Sequence, residues 1–301
     1  MATRALVTGA TGFVGGRLAR ELAARGHTVR CLVRDRGRAA DLERAGCELH
    51  EGDVLDRSTL AGAGDQAEVA YYLVHSMGRG GGRSGFAERE RQAASNFAGM
   101  ARDEGVERVV YLGGLGDEPT SEHLASRAET ARVLADEGPP LTWLRAGMVI
   151  GAESESYRTL RYLVQRLPAM VAPAWLRNRT QPIAIEDVLA YLAQAAERPE
   201  TGGREIQIGG PDVLTYADLL RLMADVLGVR RRPMIPVPLL SPWLSSHWIG
   251  LVTPVDAGVA RPLVESLAVE TIVTDPSGQE LFDVQPTPAR EALRAAVEQQ
   301  P

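Results

Sequence analysis

Short apolar runs alternate with helical stripes along the first half of the chain, a rhythm that predicts a parallel sheet wrapped by crossover helices. Arg4 to Thr8 reads as a strand, and Gly15 to Arg25 carries a helical stripe through Leu18, Leu22 and Ala23 that stops at Gly26. Thr28 to Val33 is the next strand, Arg36 to Ala45 a helix closed by Gly46, and Cys47 to His50 a third strand. Val69 to Val74 follows as a strand, Phe86 to Glu104 as a long helix before Gly105, and Arg108 to Leu112 and Leu141 to Ile150 as the remaining strands. The expected fold class is α/β, a doubly wound Rossmann sheet over residues 1–150.

Beyond residue 151 the rhythm loosens and proline becomes frequent. Helices are still expected at Glu186 to Glu197 and at Thr215 to Leu227, with Thr215 as N-cap. Thr287-Pro288 opens a last helix reaching about Gln299. Residues 151–301 are therefore expected to form mainly a smaller C-terminal cap region, with some segments returning to the sheet. The only low-complexity stretch, Gly78 to Arg83, reads as a loop after the fourth strand.

Composition narrows the chemistry. The 301 residues are 45% hydrophobic and 24% charged, as in an ordinary globular protein, and two cysteines exclude a disulfide scaffold or a cysteine-built zinc site. With a net charge of -6, no nucleic-acid partner is expected. The chain opens directly into a strand without a secretory pattern, so a cytoplasmic location is expected. All 33 basic residues are arginine. Schiff-base chemistry, a Walker lysine and a tyrosine-lysine proton relay are thereby excluded.

The run Thr8-Gly9-Ala10-Thr11-Gly12-Phe13-Val14-Gly15 lies between the first strand and the first helix. Gly9 permits a tight turn, Gly12 lets a pyrophosphate approach the backbone, and Gly15 allows close helix packing, while the helix N-terminus offers amide donors. Thr11, Phe13 and Val14 belong to the same cradle. The second strand ends at Arg34, roughly 20 residues beyond the loop, where a carboxylate would select an unphosphorylated ribose. A guanidinium there favours a 2'-phosphate, with Arg38 as a second donor, so NADP(H) is the preferred cofactor. Asp35 keeps NAD(H) open. Asp53 and Val54 either meet the adenine edge or form a plain turn, and Leu73 and Val74 end the fourth strand at the carboxyl edge, where open sheets bind ligands.

The chain resembles the extended and atypical short-chain dehydrogenase/reductase superfamily, in its NmrA-like NAD(P)H-binding branch, which includes YbjT-type bacterial proteins. The resemblance rests on TGATGFVGG from Thr8, GDVLD from Gly52, YLVHSMG from Tyr72, VVYLGGLG from Val109 and RAGMVIG from Arg145, with PIAIEDV from Pro182 and IQIGGPDVLTY from Ile206 in the cap. It implies a serine or threonine after the fifth strand and a YxxxK pair on the next helix. This sequence instead has Gly113-Gly114 and His123-Leu124-Ala125-Ser126-Arg127.

His123 is either a general acid near neutral pH or a surface histidine at a helix start. Arg127 can anchor the cofactor but cannot pass a proton. His75 contacts the cofactor through its backbone or contributes an imidazole. Tyr157 and Tyr162, five residues apart on a helix that would roof the nicotinamide pocket, face different sides of it, so at most one reaches the site, and core packing is the expectation for both.

Pro233 to Val255 contains no Asp, Glu, Lys or Arg, and it follows Arg230-Arg231-Arg232. Its prolines argue against a spanning helix. An apolar wall for a small apolar substrate, a peripheral membrane contact through residues 230–255, or plain core remain as readings. The functional expectation is an oxidoreductase passing hydride from NADPH to an apolar acceptor such as a quinone or enone. The alternative is a catalytically silent NAD(P)-binding redox sensor or assembly protein.

Overall fold

In the strand Arg4–Thr8 (β1), Ala5 and Val7 pack into one apolar cluster and Leu6 into another. A strand buried on both faces in this way needs a continuous apolar run rather than an alternating one, which is what Ala5-Leu6-Val7 supplies. The computed structural model describes residues 2–74, 83–116, 122–167, 169–236, 267 and 269–299.

Five more strands follow: β2 (Thr28–Val33), β3 (Glu48–Glu51), β4 (Val69–Tyr72), β5 (Arg108–Gly114) and β6 (Leu141–Ala146). Four short ones come next, β7 (Val149–Ile150), β8 (Met170–Ala172), β9 (Arg179–Thr180) and β10 (Ile183–Ala184), before β11 (Arg204–Ile208). The central sheet has seven strands in the order β11-β6-β5-β4-β1-β2-β3, every neighbouring pair parallel. Between β1 and β4 the winding direction reverses, which opens a crevice at the carboxyl edge.

Helices α1 (Phe13–Ala24) and α2 (Ala40–Arg44) precede α3 (Arg83–Asp103) and α4 (Glu122–Glu137). After these come α5 (Glu155–Arg166), α6 (Ile185–Glu197) and α7 (Tyr216–Val226), then α8 (Ser277–Leu281) and α9 (Ala289–Glu298). Residues of α1 and α6 (Leu18, Leu22, Val188, Leu192) cover one face of the sheet, and residues of α3 and α4 (Phe97, Ala101, Ala131, Leu134) cover the other. A third apolar cluster joins Leu160 of α5, Leu219 of α7 and Leu293 of α9.

Several boundaries differ from the sequence expectation. The helix expected over Arg36 to Ala45 is a 3-10 turn, Arg36–Ala39, followed by the short α2. Asp35 caps that turn by accepting from the Gly37 amide at 2.8 Å, and the tighter winding follows from this local bond. The strand expected over Leu141 to Ile150 breaks at Gly147. A Cβ at Gly147 would lie 2.8 Å from the Gln181 carbonyl oxygen, so the chain turns there and β7 leaves the main sheet to pair with β10. Helix α1 starts at Phe13, two residues before the first position expected, and β4 ends at Tyr72. Thr215 is the N-cap of α7, accepting from the Asp218 amide at 3.1 Å.

Two carboxylates, one buried and one half-buried, tie the last segment down. Asp187 of α6 accepts from the Thr287 amide at 2.7 Å and from its hydroxyl at 3.0 Å, and Asp212 accepts from the Ala289 amide at 2.7 Å. Burial pushes the Asp187 carboxyl up, and the two Thr287 bonds pull it back part of the way. No described helix is long and apolar enough to cross a membrane.

Candidate functional site

The glycine loop closes on itself first. The Gly12 amide donates to the Gly9 carbonyl at 2.9 Å, and Gly9 sits at φ +67°, a conformation that favours glycine. Side chains at Gly9 and Gly15 would strike backbone, of Leu73 and Gly9 respectively. Gly12 differs: it is exposed, and the only atom near its Cβ direction is the Gly9 carbonyl oxygen at 3.1 Å. No side chain caps α1 at Gly12, and its first turn has no acidic residue. The uncapped N-terminus, approached over an exposed glycine with no side chain beside it, fits a pyrophosphate.

The residues expected around that loop come together at the carboxyl edge. Thr11 is exposed, and Phe13 and Val14 are half-buried against the α1 side of the core. The Leu73 amide donates to the Thr8 hydroxyl at 3.3 Å, which sets Leu73 and Val74 beside Gly9. Thr8 pairs with Leu32, so Arg34 leaves the sheet edge level with the loop. Arg34 and Arg38 are exposed, and neither has a hydrogen bond or ion pair among the described residues. Asp35, by contrast, has one oxygen committed to the Gly37 cap.

Asp53 accepts from the Leu55 amide at 3.0 Å, so its carboxylate shapes the turn after β3. The Val54 carbonyl is fixed by Asn96 of α3 at 2.8 Å. His75 lies outside the described residues. His123 falls in the first turn of α4, and its side chain is outside the described residues as well.

At the end of β5 the structure gives a physical reason for the missing hydroxyl. The indole nitrogen of Trp143 occupies the space a Cβ on Gly113 would need, and at Gly114 a Cβ would lie 3.0 Å from the Leu124 side chain. The Trp143 nitrogen is buried and has no hydrogen-bond partner among the described residues. Arg127 donates to the Leu112 carbonyl and lies over the Tyr111 ring at 5.8 Å, so its guanidinium is held against the end of β5.

Sequence reasoning assigned no role to Trp143 or Arg145. Arg145, 8% exposed, donates to the Gly114 carbonyl at 3.1 Å and the Gly116 carbonyl at 2.6 Å, and pairs with Glu205 of β11. It clamps the backbone that leaves β5 toward α4. An arginine inside the apolar run Leu141 to Ala146 was the available signal, since a buried guanidinium must find acceptors.

The arginines before the uncharged run have local partners in two of three cases. Arg231 pairs with Asp225 at 2.8 Å, and Arg232 donates to the Val164 carbonyl at 3.2 Å near the end of α5, while Arg230 is exposed. Residues 237–255 of that run lie outside the described residues.

Residues 1–240 match the NmrA-like family. The chain belongs to that family. This NmrA-like protein is 24% identical to NADH dehydrogenase (ubiquinone) 1 alpha subcomplex subunit 9, mitochondrial, of Rattus norvegicus, over 94% of its own length and 77% of that chain. In fold it is similar to an NADPH-dependent quinone oxidoreductase complexed with NADPH from Escherichia coli, with a TM-score of 0.77 and 19% identity over 97% of this chain and 98% of that one. It is also similar to the triphenylmethane reductase of Citrobacter sp. complexed with NADP(H), with a TM-score of 0.72 and 18% identity over 98% of this chain and 100% of that one. The NmrA-like protein thus has the Rossmann-like α/β fold found in NAD(P)-binding reductases.

Proposed function

We propose that this NmrA-like protein is an NADP(H)-dependent oxidoreductase that delivers hydride to an apolar carbonyl acceptor such as a quinone or enone. The observation that carries the cofactor half is Arg34, an exposed guanidinium level with the glycine loop and without a described partner, next to an Asp35 that is occupied in a cap. A free guanidinium there gains a charge-assisted bond from a 2'-phosphate, whereas a ribose hydroxyl offers it less. Gly9, Gly12 and Gly15 with the α1 N-terminus would hold the pyrophosphate, and Arg127 would hold the nicotinamide ribose or the diphosphate.

The acceptor half follows from what the chain lacks. Arg127 carries a guanidinium, which cannot pass a proton, and no hydroxyl stands at Gly113 or Gly114. An acceptor that becomes a stabilised anion on receiving hydride asks least of the enzyme in protonation. Quinones and enones have that property. The relatives named above include a quinone oxidoreductase and a dye reductase, which supports the same reading.

The test is NADPH oxidation followed at 340 nm over a panel of quinones and enones, with cofactor binding measured separately by fluorescence. Turnover with NADPH sustains the proposal. Tight binding with no turnover on any acceptor favours the second reading, a silent redox sensor or assembly protein, for which the indole of Trp143 in the place of a side chain at position 113 speaks.

A further inference from the structure

We propose that the cap region contains a carbonyl-binding site in which the Tyr157 hydroxyl, with Arg161 one helical turn later, receives the oxygen of an apolar ligand. The inference rests on the apolar-acceptor reading above and assigns residues to it.

Tyr157 is 0% exposed and packs among Ile150, Leu160, Leu176 and Tyr216, yet its hydroxyl has no hydrogen-bond partner among the described residues. A buried hydroxyl without a partner lowers stability relative to a phenyl ring, so its presence asks for a reason outside the fold. The Nε of Arg161 is buried and unpartnered in the same way.

The chemistry of the set is one-sided. A guanidinium nitrogen only donates, and a phenol donates readily. Two donors beside an apolar cluster complement a ligand that is apolar in body and carries acceptors: a ketone or a quinone. Burial pushes the Tyr157 phenol up while the Arg161 charge lowers it, so the hydroxyl keeps its proton near neutral pH and is a donor.

The position also fits. Helix α5 begins four residues after Gly151, where a side chain would strike the Phe13 ring of the glycine-loop segment, and Glu153 pairs with Arg17 of α1 at 3.1 Å. The helix bearing Tyr157 therefore starts against the same end of the sheet that holds the nucleotide loop.

The experiment compares duroquinone with durene, the same ring and methyl groups without carbonyls, by equilibrium dialysis against cofactor-free protein. Wild type is expected to bind duroquinone more tightly than durene. Tyr157→Phe and Arg161→Met should each weaken duroquinone about tenfold and leave durene unchanged, as loss of one hydrogen bond predicts. Tyr157→Phe should also leave Tm unchanged or raise it, because it removes an unsatisfied buried group. Failure of wild type to prefer duroquinone, unchanged or equal losses for both ligands, or a Tm lowered by several degrees in Tyr157→Phe overturns the proposal. Because no nicotinamide is present, these titrations fail or succeed independently of NADPH binding and turnover.

Discussion

The indole nitrogen of Trp143 fills the volume a side chain on Gly113 would occupy, so the glycine on β5 and the tryptophan on β6 are fitted to each other. Gly113→Ser should destabilise the protein by about 1 to 3 kcal/mol through overpacking. In a Trp143→Leu background the same substitution should cost less than half of that. A double-mutant cycle in urea measures the difference, and additive effects would show that the two residues do not compete for space.

The loop glycines should separate binding from folding. Gly12→Val should leave the fold largely intact, since the position is exposed and needs only a small shift of the Gly9 carbonyl 3.1 Å away, and abolish binding of either cofactor. Gly15→Val forces a side chain into the Gly9 backbone and should lower Tm sharply before any ligand is added. Circular dichroism melts beside NADPH titrations distinguish the two, and retained cofactor binding in Gly12→Val contradicts the pyrophosphate assignment.

Arg34→Ala should weaken NADPH by about tenfold to a hundredfold and spare NADH, the range expected for a lost charge-assisted bond of roughly 1.5 to 3 kcal/mol. Equal weakening of both cofactors would detach Arg34 from the 2'-phosphate.

Arg127→Ala should weaken cofactor binding by a similar factor at every pH from about 6 to 9, because a guanidinium does not titrate there. His123→Ala is expected to change turnover little. A loss of about a hundredfold in kcat with a displaced pH profile would instead make His123 the proton donor.

Thr215 holds Asp218 in two ways, accepting from its amide at 3.1 Å and donating to its carboxylate at 2.6 Å, and the hydroxyl bond depresses the Asp218 carboxyl. A depressed carboxyl stabilises the fold above its unfolded pKa and loses that contribution as pH falls through its folded one. Thr215→Ala should cost about 1 kcal/mol at neutral pH, and less in acid as the pH falls below the ordinary aspartate value of about 4 and on through the depressed folded one. Chemical denaturation at several pH values checks the sign.

What the sequence by itself determined is the set of features that repeat or act at short range. Alternating strand and helix periods specify a doubly wound sheet, because apolar spacing dictates which local structure can bury its side chains. Glycines at 9, 12 and 15 announce the turn after β1, since their constraint lies within a few residues. Thr215 is legible as an N-cap for the same reason. Only the tertiary structure decided the rest. That β11 lies beside β6, that Gly147 ends a strand against Gln181, and that Trp143 reaches Gly113 are matters of contact between chain segments, with no local period to betray them. The same holds for Tyr157. Core packing is the expectation for it, and it is core, but whether a buried hydroxyl has found a partner is a property of everything packed around it, which one-dimensional order does not encode.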